Sequence, residues 1–183
     1  MEQRQATPPS LTEDTATTQR NMTMTTQQQN DDRTVAELAR AWILSWDKAT
    51  SDETFVFEDK FGDFYDWEAQ DVMLYDDADP EHQLFRRVAD YQAAFEPTFN
   101  QLKRAEHWLA LEPEVVHSSD LASSYLIFLA RLTTADDTLV CLRCRTGMIW
   151  RRTSNGWRIV RDHTSSVALT PEEMEAAVVA TGA

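Results

Sequence analysis

Apolar residues recur at helical spacing from Val35, with Leu38, Ala39, Trp42, Ile43 and Trp46 on one face. Thr34-Val-Ala-Glu37 opens that run as a capping-box pattern, in which the threonine hydroxyl accepts from an orphan amide. Thr50-Ser-Asp-Glu53 repeats the signal and predicts a second helix carrying Phe57, Phe61, Phe64 and Tyr65. A short strand over 71–75 follows, then the turn Asp76-Asp77-Ala78-Asp79-Pro80, with residues 82–86 as its returning partner. Tyr91, Phe95 and Leu102 mark one face of a third helix, which Pro97 is expected to kink or break. From Ala105 the pattern changes to long strands, over 108–116, 123–134, 139–152 and 157–167. His117-Ser-Ser-Asp120, Asp136-Asp137 and Ser154-Asn-Gly156 supply the turns between them. Three helices followed by a four-stranded meander predict an α+β fold, a curved antiparallel sheet with the three N-terminal helices on its concave face.

Residues 1–32 follow no such pattern. They hold eight Thr, six Gln and no aromatic residue, too little apolar surface to offset the entropy of ordering. They are expected to be a disordered tail, with the domain over 33–169 and a C-terminal tail or short helix over 170–183.

Charge narrows the function. The 183 residues carry 17 Lys plus Arg against 31 Asp plus Glu, a net charge of −14. Nucleic-acid binding neutralises phosphates with basic groups, so no nucleic-acid partner is expected. No run of 18 apolar residues and no apolar leader segment is present, so no membrane partner is expected and the location is expected to be cytoplasmic. Cys141 and Cys144 are the whole thiol inventory. Residues three apart on a strand face opposite ways, which argues against a disulfide or a shared metal. Four glycines are too few for a phosphate-cradling loop, and no H-E-x-x-H or G-x-S-x-G motif occurs. Asp76, Asp77 and Asp79 read as a solvated turn, and no metal or cofactor is expected.

The element order and the closing segment Trp150-Arg-Arg-Thr-Ser-Asn-Gly-Trp157-Arg-Ile-Val-Arg-Asp-His163-Thr-Ser165 resemble the nuclear transport factor 2-like superfamily, in its SnoaL-like and ketosteroid-isomerase-like branch. Leu74-Tyr75-Asp76 followed by Pro80 resembles that family's first hairpin. The resemblance covers about residues 33–169. It implies a cone-shaped half-barrel, a pocket between helices and sheet, and homodimerisation through the outer sheet face. It fixes no reaction, because the superfamily holds isomerases, cyclases, dehydratases, hydroxylase subunits, transport adaptors and kinase hub domains. The pocket arginines of the hub domains would fall at Gly147 and Thr164, so that ligand chemistry is not implied.

Tight two-residue turns would place Thr153 opposite Gly156 and Ala135 opposite Thr138. One sheet face would then carry Leu126, Phe128, Ala130, Arg145, Gly147, Ile149, Val160, Asp162 and Thr164, with Arg145 and Asp162 as diagonal neighbours. Apolar walls with a few polar groups are how small-molecule pockets are lined. The opposite face would carry Tyr125, Ile127, Leu129, Cys144, Thr146, Met148, Trp150, Trp157, Ile159, Arg161 and His163, and would be the dimer interface. A one-residue bulge would swap every assignment beyond it.

Asp162 and Arg145 are the candidate catalytic pair, proton shuttle and oxyanion stabiliser, and a structural ion pair is the bland reading of the same two residues. His163 is the alternative base. Trp42, Tyr65, Tyr75, His107, Phe128, Gly147 and Thr164 are the candidate ligand-binding residues. Two functions remain open. One is a cofactor-free isomerase, cyclase or dehydratase acting on a small apolar carbonyl compound; the other is a non-catalytic dimeric ligand-binding or assembly module.

Overall fold

The computed structural model describes residues 34–52 and 54–182. The expected tail over 1–32 and Glu53, the last residue of the second capping pattern, lie outside the described residues. Helix α1 spans 34–45 and buries Val35, Ala39, Trp42 and Ile43, with Trp46 just beyond its end. Helix α2 is only Phe57–Phe61 and starts later than the pattern at Thr50 predicts. There the Ala49 N–H donates instead to Asp52 Oδ2 at 2.8 Å and closes a turn. Phe55, Phe61 and Phe99 gather around Trp46, with ring centroids 5.9, 4.4 and 4.7 Å away.

Helix α3, Val88–Gln101, continues through Pro97 rather than breaking. The proline forfeits one intrahelical bond, and neighbours hold the helix end from outside. The buried Lys48 ammonium donates to the carbonyls of Leu102 at 2.6 Å and Phe99 at 3.0 Å, a cation at the negative end of the helix dipole. The Asn100 amide pairs with both backbone groups of Phe55, at 2.8 and 2.9 Å.

Strands β1 (Met73–Asp76), β2 (Arg104–His117), β3 (Leu121–Thr133), β4 (Leu139–Thr153) and β5 (Gly156–Ala168) form one sheet in the order β1-β5-β4-β3-β2. The last four are the predicted antiparallel meander. β1 joins β5 in parallel, so the sheet is mixed, curved and unclosed. Residues 82–86 form no returning strand; a single bridge ties Phe85 to Leu74, at 3.0 and 2.9 Å. Pro113 lies in β2, an edge strand, within the register shift between Leu111 and Glu114, where its missing N–H is tolerated. Helix α4, Pro171–Ala180, opens with a Thr170/Glu173 capping box. It buries Met174 on the outer sheet face against Leu129 and Cys141. Arg131 holds it there, bonded to Glu175 at 2.5 Å and to Glu106 at 2.9 Å.

Two local offsets change the expected faces of β4 and of the start of β5. The β3–β4 loop has three residues, not two: Thr133 pairs with Leu139, Thr134 N–H donates to Thr138 O at 3.0 Å, and Asp137 takes φ +68°. Three-residue loops of this kind place their last residue in the left-handed region. Phe128 therefore faces Cys144 and Leu126 faces Thr146. In the last hairpin Thr153 does pair with Gly156, but a bulge at Val160 takes the pairing from Trp150–Ile159 to Ile149–Arg161. Asp162 thus lies opposite Met148, not Gly147. Cys144, Thr146, Met148 and Trp150 point into the core, as do Trp157 and Ile159, and all six are buried. None of the six belongs to an outer interface, as the two-residue turns implied. Arg145, Gly147 and Ile149 take the outer face instead.

Candidate functional site

The concave side of the sheet and helices α1 and α3 enclose a narrow cleft of about 510 Å³, its open mouth included. Its walls are Trp42, Ile43 and Trp46 from the α1 segment, Phe95 and Phe99 from α3, and Phe128, Ala130, Leu132, Leu142 and Cys144 from β3 and β4. Its polar groups are His107, Asp76, Thr164 and Ser166. Apolar walls with a few convergent polar groups are the usual make-up of a small-molecule site.

His107 lies on β2 opposite Ala130, so the alternation of that strand turns its ring inward beside Phe128, 5.9 Å between centroids. Asp47, just past the end of α1, accepts from the His107 backbone N–H at 2.9 Å and sits 2.9 Å from ring Nδ1. One carboxylate oxygen therefore holds both the strand and the ring. Asp47 side chain is half exposed, whereas that of His107 is only 4% exposed. With Nδ1–H donated to Asp47, the remaining lone pair is on Nε2, which has no hydrogen-bond partner among the described residues. A carboxylate that fixes the tautomer of a histidine prepares its other nitrogen to take a proton.

Asp76 ends β1 and shares the inward phase of Leu74. Its Oδ1 accepts from the Ala78 N–H at 2.9 Å. Burial pushes its carboxyl up to about 7; the Asp77 and Asp79 carboxylates add to this, while the Ala78 bond opposes it. Asp77 clamps the mouth, accepting from the Ser166 N–H at 2.7 Å and its hydroxyl at 2.8 Å. Asp79 is buried and caps its own turn, accepting from the Gln83 N–H at 2.8 Å. Of the three aspartates Asp76 lines the cleft, while Asp77 and Asp79 tie the turn beside it through Ser166 and Gln83, so this is not the solvated turn the sequence suggested.

Behind Thr164 runs a buried chain. Trp42 Nε1 donates to the Tyr65 hydroxyl at 2.9 Å, and that hydroxyl donates to Asp162 Oδ2 at 3.2 Å. Asp162 Oδ1 is buried with no partner. Burial, then the neighbouring Asp76, hold the Asp162 carboxyl well above the usual carboxylate range, against the bonds from Tyr65 and Thr164. Burial likewise raises Tyr65 and Cys144. At neutral pH this layer is a set of uncharged acids.

The structure brings together Trp42, His107, Phe128 and Thr164 on the cleft wall, with Tyr65 and Asp162 directly behind. It separates the others. Arg145 is exposed on the outer face opposite Ser165 and Ile127, so it does not neighbour Asp162. The offset loop after β3 causes this. Tyr75, His163 and Gly147 lie side by side in one outer row that continues to Tyr125, with the Tyr75 and His163 rings 4.9 Å apart. Asp47 and Asp76 are the charged site residues that the sequence reading missed, beside apolar walls such as Trp46, Phe95 and Phe99. The alternation Leu74-Tyr75-Asp76 was the available signal for the second, since it puts Asp76 on the face of Leu74. Nothing local marks Asp47, whose partner is 60 positions away.

A half-open cone of sheet whose mouth is filled by helices, with a cleft between them, defines this protein as nuclear transport factor 2-like. The chain belongs to the SnoaL-like domain family, which it matches over residues 58–170. Solved structures share the fold. A nuclear transport factor 2-like superfamily protein from Salmonella enterica superposes with a TM-score of 0.64 at 16% identity, covering 78% of this chain and 94% of that one. A candidate dehydratase of the same family from Streptomyces avermitilis gives 0.61 at 15% identity, covering 78% and 99%. The association domain of a Caenorhabditis elegans CaMKII gives 0.50 at 13% identity, covering 77% and 96%. No curated protein matches the sequence.

Proposed function

We propose that the cleft binds a small, largely apolar carbonyl compound and that the protein catalyses a cofactor-free proton transfer on it, as an isomerase or dehydratase does. The observation that carries this reading is the His107–Asp47 dyad, whose ring borders an apolar cleft with Asp76 as a second polar wall group. His107 Nε2 would take a proton from the carbon next to the carbonyl and return it at another position. Asp47 would stabilise the imidazolium in between, and Asp76 would hydrogen-bond the polar end of the ligand. The uncharged layer of Asp162 and Tyr65 keeps the floor of the site rigid and dry. Asp162 is thus a supporting group in this reading, and Arg145 and His163 have no part in the cleft.

We also propose a homodimer through the part of the outer face that α4 leaves open, around Tyr125, Ile127 and Ile149. Tyr125 there is 40% exposed, and the CaMKII association domain, named for assembly, has the same fold.

Exchange of carbon-bound protons tests the catalytic reading without the natural substrate. In D₂O the full chain should exchange the α-protons of cyclohexanone faster than buffer does, and His107→Gln should lose about 10²-fold or more of that excess. Exchange by wild type at the buffer rate would remove the proton-transfer reading.

A further inference from the structure

We infer that the ligand of this cleft carries a cationic amine, seated against Asp76 between the aromatic walls. The inference rests on the reading of the cleft as a small-molecule site and names the class of molecule it takes.

The charge inventory of the cleft is one-sided. Among the described residues its lining holds Asp76 and His107 and no Lys or Arg. The cations that could have served it are turned elsewhere. Lys48 spends its ammonium on the carbonyls ending α3. Lys60 donates to the Asp47 carbonyl at 2.9 Å, and Arg145 is on the far side of the sheet. A carboxylate ligand would enter beside Asp76 with no Lys or Arg in the lining to pair it, and a buried unpaired anion is strongly disfavoured. A neutral ligand without a donor would leave the Ala78 N–H as the one hydrogen bond to the Asp76 side chain when it ionises.

An ammonium group answers both demands. It supplies a charged donor to Asp76, whose second oxygen is left free by the single bond from Ala78. Five aromatic rings border the same space, those of Trp42, Trp46, Phe95, Phe99 and Phe128, and aromatic walls attract desolvated cations. Trp42 and Trp46 stand edge to face at 6.3 Å and 84°. The net charge of −14 draws cations toward the protein as a whole.

Three probes of one shape decide it: cyclohexylmethylamine, cyclohexylmethanol and cyclohexanecarboxylate, titrated calorimetrically into the full chain at neutral pH. The amine should bind about tenfold more tightly than the alcohol, and the carboxylate more weakly than both. Asp76→Asn should erase the preference of amine over alcohol. An alcohol that matches the amine, a carboxylate that binds best, or a preference that survives in folded Asp76→Asn overturns the inference and leaves the cleft as a ligand site. If Asp76→Asn does not fold, the ranking of the three probes on wild type decides alone. If none of the three binds, the small-molecule reading itself fails.

Discussion

One oxygen of Asp47 serves both the backbone nitrogen and the ring of His107, each at 2.9 Å. The residue after helix α1 therefore sets the position and the tautomer of the histidine on β2. Asp47→Ala would leave a backbone N–H and a ring nitrogen without an acceptor, at a cost of about 1–3 kcal/mol in urea melts. Asp47→Asn keeps an acceptor oxygen and should cost less. Nitrogen NMR of wild type should show the proton on Nδ1, and a proton on Nε2 would contradict the dyad.

Stability should depend on pH through Asp76. Its folded value of about 7 lies above the ordinary aspartate value of 3.8, so the folded state holds a proton that the unfolded state has released. Stability then falls as pH rises from about 4 to 7. Asp162 faces it from β5 and is also raised, Asp77 and Asp79 flank it, and Tyr65, Tyr91 and Cys144 are the other titratable groups packed nearby. Asp76→Asn should be more stable than wild type by an amount that grows over that interval, reaching on the order of a few kcal/mol, and then levels off. Thermal melts of the pair across pH measure the difference, and a difference independent of pH would contradict the placement of Asp76.

Asp162→Asn separates the observed packing from the ion pair that tight turns suggested. An uncharged buried acid replaced by its amide should cost within about 1 kcal/mol at neutral pH. A structural pair with Arg145 would instead cost about 3–5 kcal/mol on breaking. Tyr65→Phe, which strands Trp42 Nε1 and Asp162 Oδ2 together, should be the more damaging change, by about 1–3 kcal/mol. Denaturant titrations of both variants rank them.

The two faces of the sheet give another pair of outcomes. Met148 is fully buried in the core, so Met148→Arg should prevent folding. Tyr125→Arg, on the open outer face, should leave a folded chain with the same melting cooperativity. It should also shift sedimentation toward monomer if that face joins two copies. Sedimentation velocity with circular dichroism distinguishes unfolding from dissociation, and a wild type that is monomeric at micromolar concentration would remove the proposed interface.

Much of the architecture is visible in the residues alone. The period of Val35, Ala39, Trp42, Ile43 and Trp46 predicts α1 and its buried face. The alternation in β3 puts Leu126, Phe128 and Ala130 inside, as found. Asp162 and Thr164 also fall inside, because the count from Gly156 in β5 passes the Val160 bulge and the offset restores their phase. β4 had no such protection. Its phase depends on the loop at Asp137, where a left-handed aspartate adds a third residue, and one residue turns every side chain to the other face. Pairing Arg145 with Asp162 was the consequence. Asp47 escaped notice for a different reason. Its importance comes from a contact with a distant strand, and no local pattern encodes that.

The most direct test of the account is a crystal structure of the full chain grown with a saturating small cyclic ketone. The account predicts the ketone inside the cleft, its ring against Trp42 and Phe128, with His107 Nε2 facing a ring carbon beside the carbonyl. A cleft closed by collapsed Trp42 and Phe128 side chains, with the ketone absent or bound only on the outer sheet face, would contradict it.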